Sequence, residues 1–230
     1  MHVEYISHMG DDLTVVNAAR VSFDKHVHCA ADDWFCYTCE GHGCRDCDAI
    51  SEKDTKLIQY LAKHGHWTPF SHPQITMRYT VPIFIARQEF KHIVGFTRNE
   101  VSRRYVDDTP TFYIPKEWRS RPDGSVKQGS GEKVDLPYAL LTQASHHWAD
   151  EAKHLYKTLL DHNVAPEQAR MVLPQSMYTS YYITGSLAAY ARMVKQRSDP
   201  HAQVEIQELA QMVDAVIRPL YPVSWEALVS

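Results

Sequence analysis

Apolar positions along the chain recur with two periods, and the change from one to the other outlines the fold. Val3 to Ile6 marks an opening strand, and Leu13, Val15, Val16, Ala18 and Ala19 among polar residues predict a short helix over 11–21. Leu57, Ile58 and Leu61 recur at helical spacing behind Asp54, a residue suited to capping, and Gly65 after Lys63 and His64 is a stop signal. Ile75, Met77, Tyr79 and Val81 alternate with polar or small residues, which is strand period. Pro82 suits the first position of a following helix that runs to about Ile93. Leu141, Ala144, Trp148, Ala152, Leu155 and Leu159 form the stripe of a longer helix, Pro166 opens a short one that ends before Pro174, and Leu187, Tyr190, Ala191 and Val194 mark another. Asp199-Pro200 is a cap and first turn for a last helix carrying Val204, Ile206, Leu209, Met212, Val213 and Val216.

Two stretches carry no period. Residues 24–50 are rich in Cys, His, Asp and Gly and read as an insertion, and 120–135 is a Gly/Ser/charge-rich loop expected to be mobile. With 230 residues, the chain reads as a single domain over 1–230, able to bury roughly 70% of its unfolded surface without covalent staples. The 28 acidic against 24 basic side chains leave a formal charge of −4, which argues against bulk-charge binding to nucleic acid. No basic segment leads into an apolar run at the N-terminus, and no run approaches membrane-spanning length, so a soluble cytoplasmic protein with reduced cysteines is expected.

Four constellations carry chemistry. Cys36-x-x-Cys39 and Cys44-x-x-Cys47 have the spacing of a tetrahedral thiolate site, for which a structural zinc is the leading reading and reduced thiols or redox and iron–sulfur use are the alternatives. On the zinc reading, elemental analysis of protein kept reduced should return about one zinc per chain, and a metal-free result would reject it. On a helix, Gln88, Lys91 and His92 share a face that can meet a polar ligand. If 99–105 is extended, Glu100, Ser102 and Arg104 project to one side, and a hydroxyl beside a guanidinium suits a phosphate monoester; a solvated charged turn is the bland alternative. Arg197 stands where the stripe Leu187, Tyr190, Val194 calls for an apolar residue. It either pairs with Asp199 or Glu205 or stabilises negative charge on a bound ligand. Glu89-x-x-His92 and Glu151-x-x-His154 have the pattern of di-iron carboxylate bundles, with Glu205 or Glu208 as further ligands, although the strand before Pro82 suits such a bundle poorly.

Six strings in order resemble the flavin-dependent thymidylate synthase family: Ala18-Ala19-Arg20-Val21-Ser22, Lys63-His64-Gly65-His66-Trp67-Thr68-Pro69-Phe70, Ala86-Arg87-Gln88-Glu89-Phe90-Lys91-His92, Asn99-Glu100-Val101-Ser102-Arg103-Arg104-Tyr105, Ala169-Arg170-Met171-Val172-Leu173-Pro174 and His201-Ala202-Gln203-Val204-Glu205-Ile206-Gln207. The family signature, Arg-His-Arg followed by seven residues and Ser, stands here as Lys91-His92-Ile93, eight residues, then Ser102. An altered loop path or altered flavin affinity is expected from that change, because lysine lacks the planar two-point grip of arginine.

The resemblance implies an α+β subunit, an antiparallel sheet flanked by helices, in a homotetramer with shared active sites. It implies conversion of dUMP to dTMP with methylenetetrahydrofolate as carbon donor, FAD as hydride carrier and NADPH as reductant. By position it assigns Gln88, Lys91, Glu100, Ser102, Arg103, Arg104, Arg170 and Arg197 to dUMP, with Arg197 catalytic. Ser22, His66, Thr68, Lys91, His92, Ile93, Glu100, Ser186 and Arg192 fall to FAD. A dUMP-binding module without catalysis, and di-iron chemistry, are the alternatives. Every cysteine lies between Cys29 and Cys47, so none is left for a nucleophile in the substrate-like motifs.

Overall fold

The structure, a computed structural model, describes residues 1–25, 50–122, 124 and 128–230. The predicted thiolate site lies outside the described residues, as do parts of the insertion and of the 120–135 loop. Strand β1 (His2–Met9) leads into helix α1 (Asp12–Arg20), whose first turn is closed by a reciprocal cap between Asp11 and Thr14. Helix α2 (Glu52–Lys63) begins one turn before the predicted cap. Ser51 is the N-cap and Asp54 returns its bond from inside the first turn, a capping box of the same kind.

Strand β2 (Gln74–Pro82) runs directly into helix α3 (Ile83–Glu89), with Pro82 outside the helix as its N-cap. Strand β3 (Phe96–Glu100) is followed by helix α4 (Tyr138–Thr142), a π-helical turn (Gln143–His147) and helix α5 (Trp148–Asp161), which together fill the long predicted helix. Then come α6 (Pro166–Ala169), β4 (Tyr178–Ser186), α7 (Leu187–Arg197), α8 (Val204–Ile217) and α9 (Pro222–Val229).

The strands form one antiparallel sheet in the order β1-β2-β4-β3, giving the α+β architecture. Its period of two separates the faces. Ile75, Met77, Tyr79 and Val81 of β2 and Tyr181 and Ile183 of β4 point into a core completed by Leu187, Tyr190, Ile206, Leu209, Val213 and Trp225. The opposite face is polar: Thr76 and Thr184 hydroxyls meet at 2.9 Å, Thr80 and Ser180 at 2.8 Å, and Arg78 and Tyr182 between them are exposed. Among the described residues no helix is long and apolar enough to cross a membrane.

Three further sequence expectations change. The α3 helix stops at Glu89, not near Ile93. Arg98 draws the His92 carbonyl into a 2.5 Å bond, and Gly95, at φ +83°, turns the chain back against Ala189. The extended reading of 99–105 holds only to Glu100, because Tyr105 and Val106 both donate their N–H to the Ser102 carbonyl and close a turn. Asp199 accepts from the His201 N–H at 2.8 Å, but α8 starts only at Val204 and α9 follows it.

Candidate active site

Two clefts lie at opposite ends of the polar sheet face, one beside Gln74 and Thr184, the other beside Arg78, Thr80 and Ser180. The first, about 1190 Å³, is lined by Arg78, Arg87, Glu100, Ser102, Arg103 and Arg170 among others. Arg78, Arg87 and Arg170 have no carboxylate partner among the described residues, whereas Arg103 is tied to Asp108 at 2.6 Å. Glu100 accepts from Thr179 Oγ1 at 2.7 Å, which orients its carboxylate at the cleft wall. Four residues assigned to dUMP by resemblance are therefore together here: Glu100, Ser102, Arg103 and Arg170. Arg104 leans over the Tyr105 ring, 5.0 Å from its centroid, and does not line the cleft.

The second cleft, about 1080 Å³, is lined by Trp67, Val94, Gly95, Phe96, Thr97, Ser186 and Arg192, with the aliphatic surface of α7. Ser186 and Arg192 fall where the resemblance places flavin contacts, and His66 and Thr68 flank Trp67 on an exposed loop. Ser186 also has a structural task, as its hydroxyl caps α7 by accepting from the Ala189 N–H at 3.2 Å. Ser22 sits on an exposed turn and lines neither cleft. Lys91 and Ile93 are both exposed, Ile93 at 73%, so the replaced signature positions point away from the interior.

Gln88, His92 and Arg197, also assigned by resemblance, line neither cleft and form a group of their own. Arg197 Nε donates to His92 Nε2 at 2.9 Å, and Arg197 Nη2 to the Gln88 carbonyl at 3.0 Å. An arginine cannot accept a hydrogen bond, so His92 must offer the lone pair of Nε2 and carry its proton on Nδ1. Burial, then the charges of Arg197, Arg192 and Arg98, hold the His92 imidazole down at about 4. The ordinary value is 6.5, so between that pH and about 4 the unfolded chain takes up a proton that the folded chain refuses. Stability from this group is therefore complete above pH 6.5 and falls as pH drops toward about 4. Replacing His92 with Gln should flatten that part of a stability-against-pH curve, and an unchanged slope would exclude His92 as its source.

Neither carboxylate proposed for Arg197 from the sequence reaches it. Asp199 bonds His201, and Glu205 bonds Arg119. The guanidinium, lowered somewhat by burial but still a cation, keeps its remaining donors for a ligand.

Arg98 was not singled out in the sequence, and the buried Glu89 only as a di-iron ligand, yet the pair holds this group in place. Glu89 has no exposed surface and takes Arg98 Nε at 2.9 Å and Nη2 at 2.5 Å, with the Tyr181 hydroxyl at 3.1 Å. The guanidinium lies 4.9 Å from the Phe96 ring centroid and 5.5 Å from that of Phe90. Glu89 is thus consumed by an ion pair, and the described residues bring no three His, Cys, Asp or Glu side chains together around a metal-sized space. The di-iron pattern has no counterpart there. A polar arginine two residues past the apolar Phe96 was the only signal for Arg98 in the sequence. Arg78 could have been noticed as a charge between Thr76 and Thr80 on the outward face of β2.

Residues 4–223 match the family model described as thymidylate synthase complementing protein, Thy1. The chain belongs to this family. Among its Thy1 relatives, the flavin-dependent thymidylate synthase of Thermotoga neapolitana is 34% identical over 227 residues, covering 99% of this chain and 90% of the relative. That of Thermus thermophilus is 32% identical, covering 98% of this chain and 74% of the relative. The solved structure of the UMP/dUMP methylase PolB from Streptomyces cacaoi, bound with 5-Br dUMP, superposes with a TM-score of 0.78 at 28% identity, covering 98% of this chain and 93% of that one. The Thy1 assignment agrees with the order of the six strings.

Proposed function

We propose that this chain carries out the reductive methylation of dUMP to dTMP, with methylenetetrahydrofolate as carbon donor, FAD as hydride carrier and NADPH as reductant. The observation that carries the reading is Arg197, a cation with no carboxylate partner among the described residues, held by a neutral histidine in a chain that also carries an arginine-lined cleft. Relatives that are flavin-dependent thymidylate synthases and a structural neighbour that is a dUMP methylase support it.

In the first cleft, Arg78, Arg87 and Arg170 supply the charge that a phosphate monoester needs, the Ser102 hydroxyl adds a donor, and Glu100 can accept from a sugar hydroxyl. The second cleft fits a flavin dinucleotide. Arg192 has no carboxylate partner among the described residues and suits a diphosphate, and Trp67, 65% exposed, and Phe96 offer flat faces. Bound there, flavin would supply the hydride chemistry, which no amino-acid side chain provides. In this reading Ser186 and Arg192 of the cleft wall, with His66 and Thr68 on either side of Trp67, would hold it, and a 2.6 Å bond from Arg192 keeps the Val94 carbonyl in line.

Cysteine is confined to residues 29–47, away from the substrate-like motifs, and in this reading pyrimidine activation falls to charge and orientation. Arg197 would stabilise negative charge developing on the ring, with His92 holding the guanidinium in register. The homotetramer that the resemblance implies would bring subunits together around these clefts.

Purified protein should show the visible absorbance of flavin, oxidise NADPH only when dUMP is present, and release dTMP. Binding of dUMP without dTMP would leave a catalytically silent module, and iron without flavin would point to the di-iron alternative.

A further inference from the structure

The amide of Gln88 has its polarity set from outside the site. Glu205 is 4% exposed and accepts from Arg119 Nη2 at 2.6 Å. Gln203 Nε2 donates to Glu205 Oε2 at 2.8 Å, and Gln203 Oε1 accepts from Gln88 Nε2 at 2.6 Å. Each link admits one direction only. An ionised carboxylate has acceptors alone, so the Gln203 atom facing it must be the NH2 group. The Gln203 carbonyl is then left for Gln88, which must present its own NH2 there. Burial alone would raise the Glu205 carboxyl, and the bonds from Arg119 and Gln203 outweigh that and keep it ionised.

What remains of Gln88 for a ligand is the carbonyl Oε1, which has no partner among the described residues, and the second Nε2 hydrogen. Its backbone carbonyl accepts from Arg197, so amide and guanidinium belong to one cluster.

We propose that Arg119, Glu205 and Gln203 are positioning residues that lock the Gln88 amide in the orientation selecting a uracil edge over a cytosine edge. This rests on the reading that Gln88 and Arg197 meet the pyrimidine. Uracil offers a donor at N3 flanked by two carbonyl acceptors. An amide with its oxygen free accepts from N3–H, while its own N–H and the donors of Arg197 serve the carbonyls. Cytosine has an acceptor at N3 and a donor in its exocyclic amine, and matches only the reversed amide. An isolated glutamine rotates to suit either base. Here rotation would set the Gln88 carbonyl against the Gln203 carbonyl, and correcting that would set the Gln203 carbonyl against Glu205. The chain of bonds thus transmits the fixed polarity of a carboxylate to an amide two residues away in the network.

Equilibrium binding of dUMP and of dCMP to the flavin-loaded protein tests this. The wild type should favour dUMP by about 100-fold or more, since a site built to pair with a donor leaves buried groups unpaired when that donor is missing. Gln203→Met keeps the volume and the Arg119–Glu205 pair, and should lower that ratio by about tenfold or more, chiefly through tighter dCMP binding. Glu205→Gln should move it in the same direction, and Gln203→Met decides the matter alone should Glu205→Gln not fold. Both affinities falling in parallel, or a ratio unmoved in Gln203→Met, would overturn the proposal while leaving the assigned substrate intact. A wild type that binds neither nucleotide would instead overturn the reading of the site itself.

Discussion

Arg197→Met should lower kcat by about 10²- to 10³-fold while the protein remains folded, a larger effect than its loss of dUMP affinity and the size usual for removing a donor aimed at developing charge. The fold survives because no ion pair is broken. Arg197 has no carboxylate partner among the described residues, and α7 carries its apolar stripe without it. The local cost falls on His92, whose Nε2 loses its donor at a buried position, worth about 1–3 kcal/mol. A second readout separates catalysis from packing. Arg197 is one of the charges that depress the imidazole, so His92 should titrate above its present value of about 4 in the variant, although burial, the larger cause, still holds it below 6.5. Proton NMR of the histidine ring and steady-state kinetics measure the two effects. A kcat within threefold of wild type, with the whole loss in KM, would make Arg197 a binding residue and remove it from the chemistry.

Arg98→Met should cost about 3–5 kcal/mol of stability, because it leaves the Glu89 carboxylate buried without a counter-ion. Glu89 has no exposed surface, burial already raises its carboxyl, and the Tyr181 hydroxyl is its remaining donor, so without Arg98 it must stay charged and unpaired or take up a proton, each at a cost to folding. Arg98 also donates to the His92 carbonyl, so the turn after α3 should loosen and activity should fall with stability. The double variant Glu89→Gln with Arg98→Met should recover much of the lost stability, since replacing both partners removes the uncompensated charge. Urea unfolding of the two single variants and the double variant closes the cycle. Additive losses would mean that the pair is not coupled and that Arg98 acts through packing on Phe90 and Phe96 alone.

The departure from the family signature takes on a physical form in this light. Lys91 and Ile93, at the positions of the two signature arginines, point outward, and the path of the turn is set by Arg98 from within, by Gly95 at positive φ and by the Arg192 bond to the Val94 carbonyl. An arginine that grips flavin from the signature itself is thus absent, and Arg192 across the cleft is the cation closest in chemistry. Gly95→Ala should be damaging for the same reason, since a Cβ there would lie 2.8 Å from that of Ala189.

Much of the architecture was legible along the chain because its signals are local. The period of two from Ile75 to Val81, the stripes of α5, α7 and α8, and the stop at Gly65 need only near neighbours to be read. Strand β4 was missed because its outward positions are Thr, Ser and Tyr and its inward ones include Thr179 and Gly185, so no apolar alternation shows. It becomes a central strand only when β2 and β3 pair with its two edges. The overlong α3 and the extended reading of 99–105 failed for a related reason. Helical or extended preference there was overridden by hydrogen bonds from Arg98 and to Ser102.

The candidate site divides along the same line. The residue types needed for a phosphorylated pyrimidine, an arginine on an apolar stripe, and the confinement of cysteine to residues 29 to 47 were determined by the sequence, since composition and spacing are properties of the chain itself. Which carboxylates were already spoken for was not. Glu89, nine residues before Arg98, and Glu205, 86 residues after Arg119, find their partners only when the sheet and helices close. That closure leaves Arg197 to a neutral histidine and frees its remaining donors. Ion pairing depends on distance in space and on burial, neither of which a linear pattern carries, and so the tertiary structure alone decided which arginines are spent on the fold and which remain for a ligand.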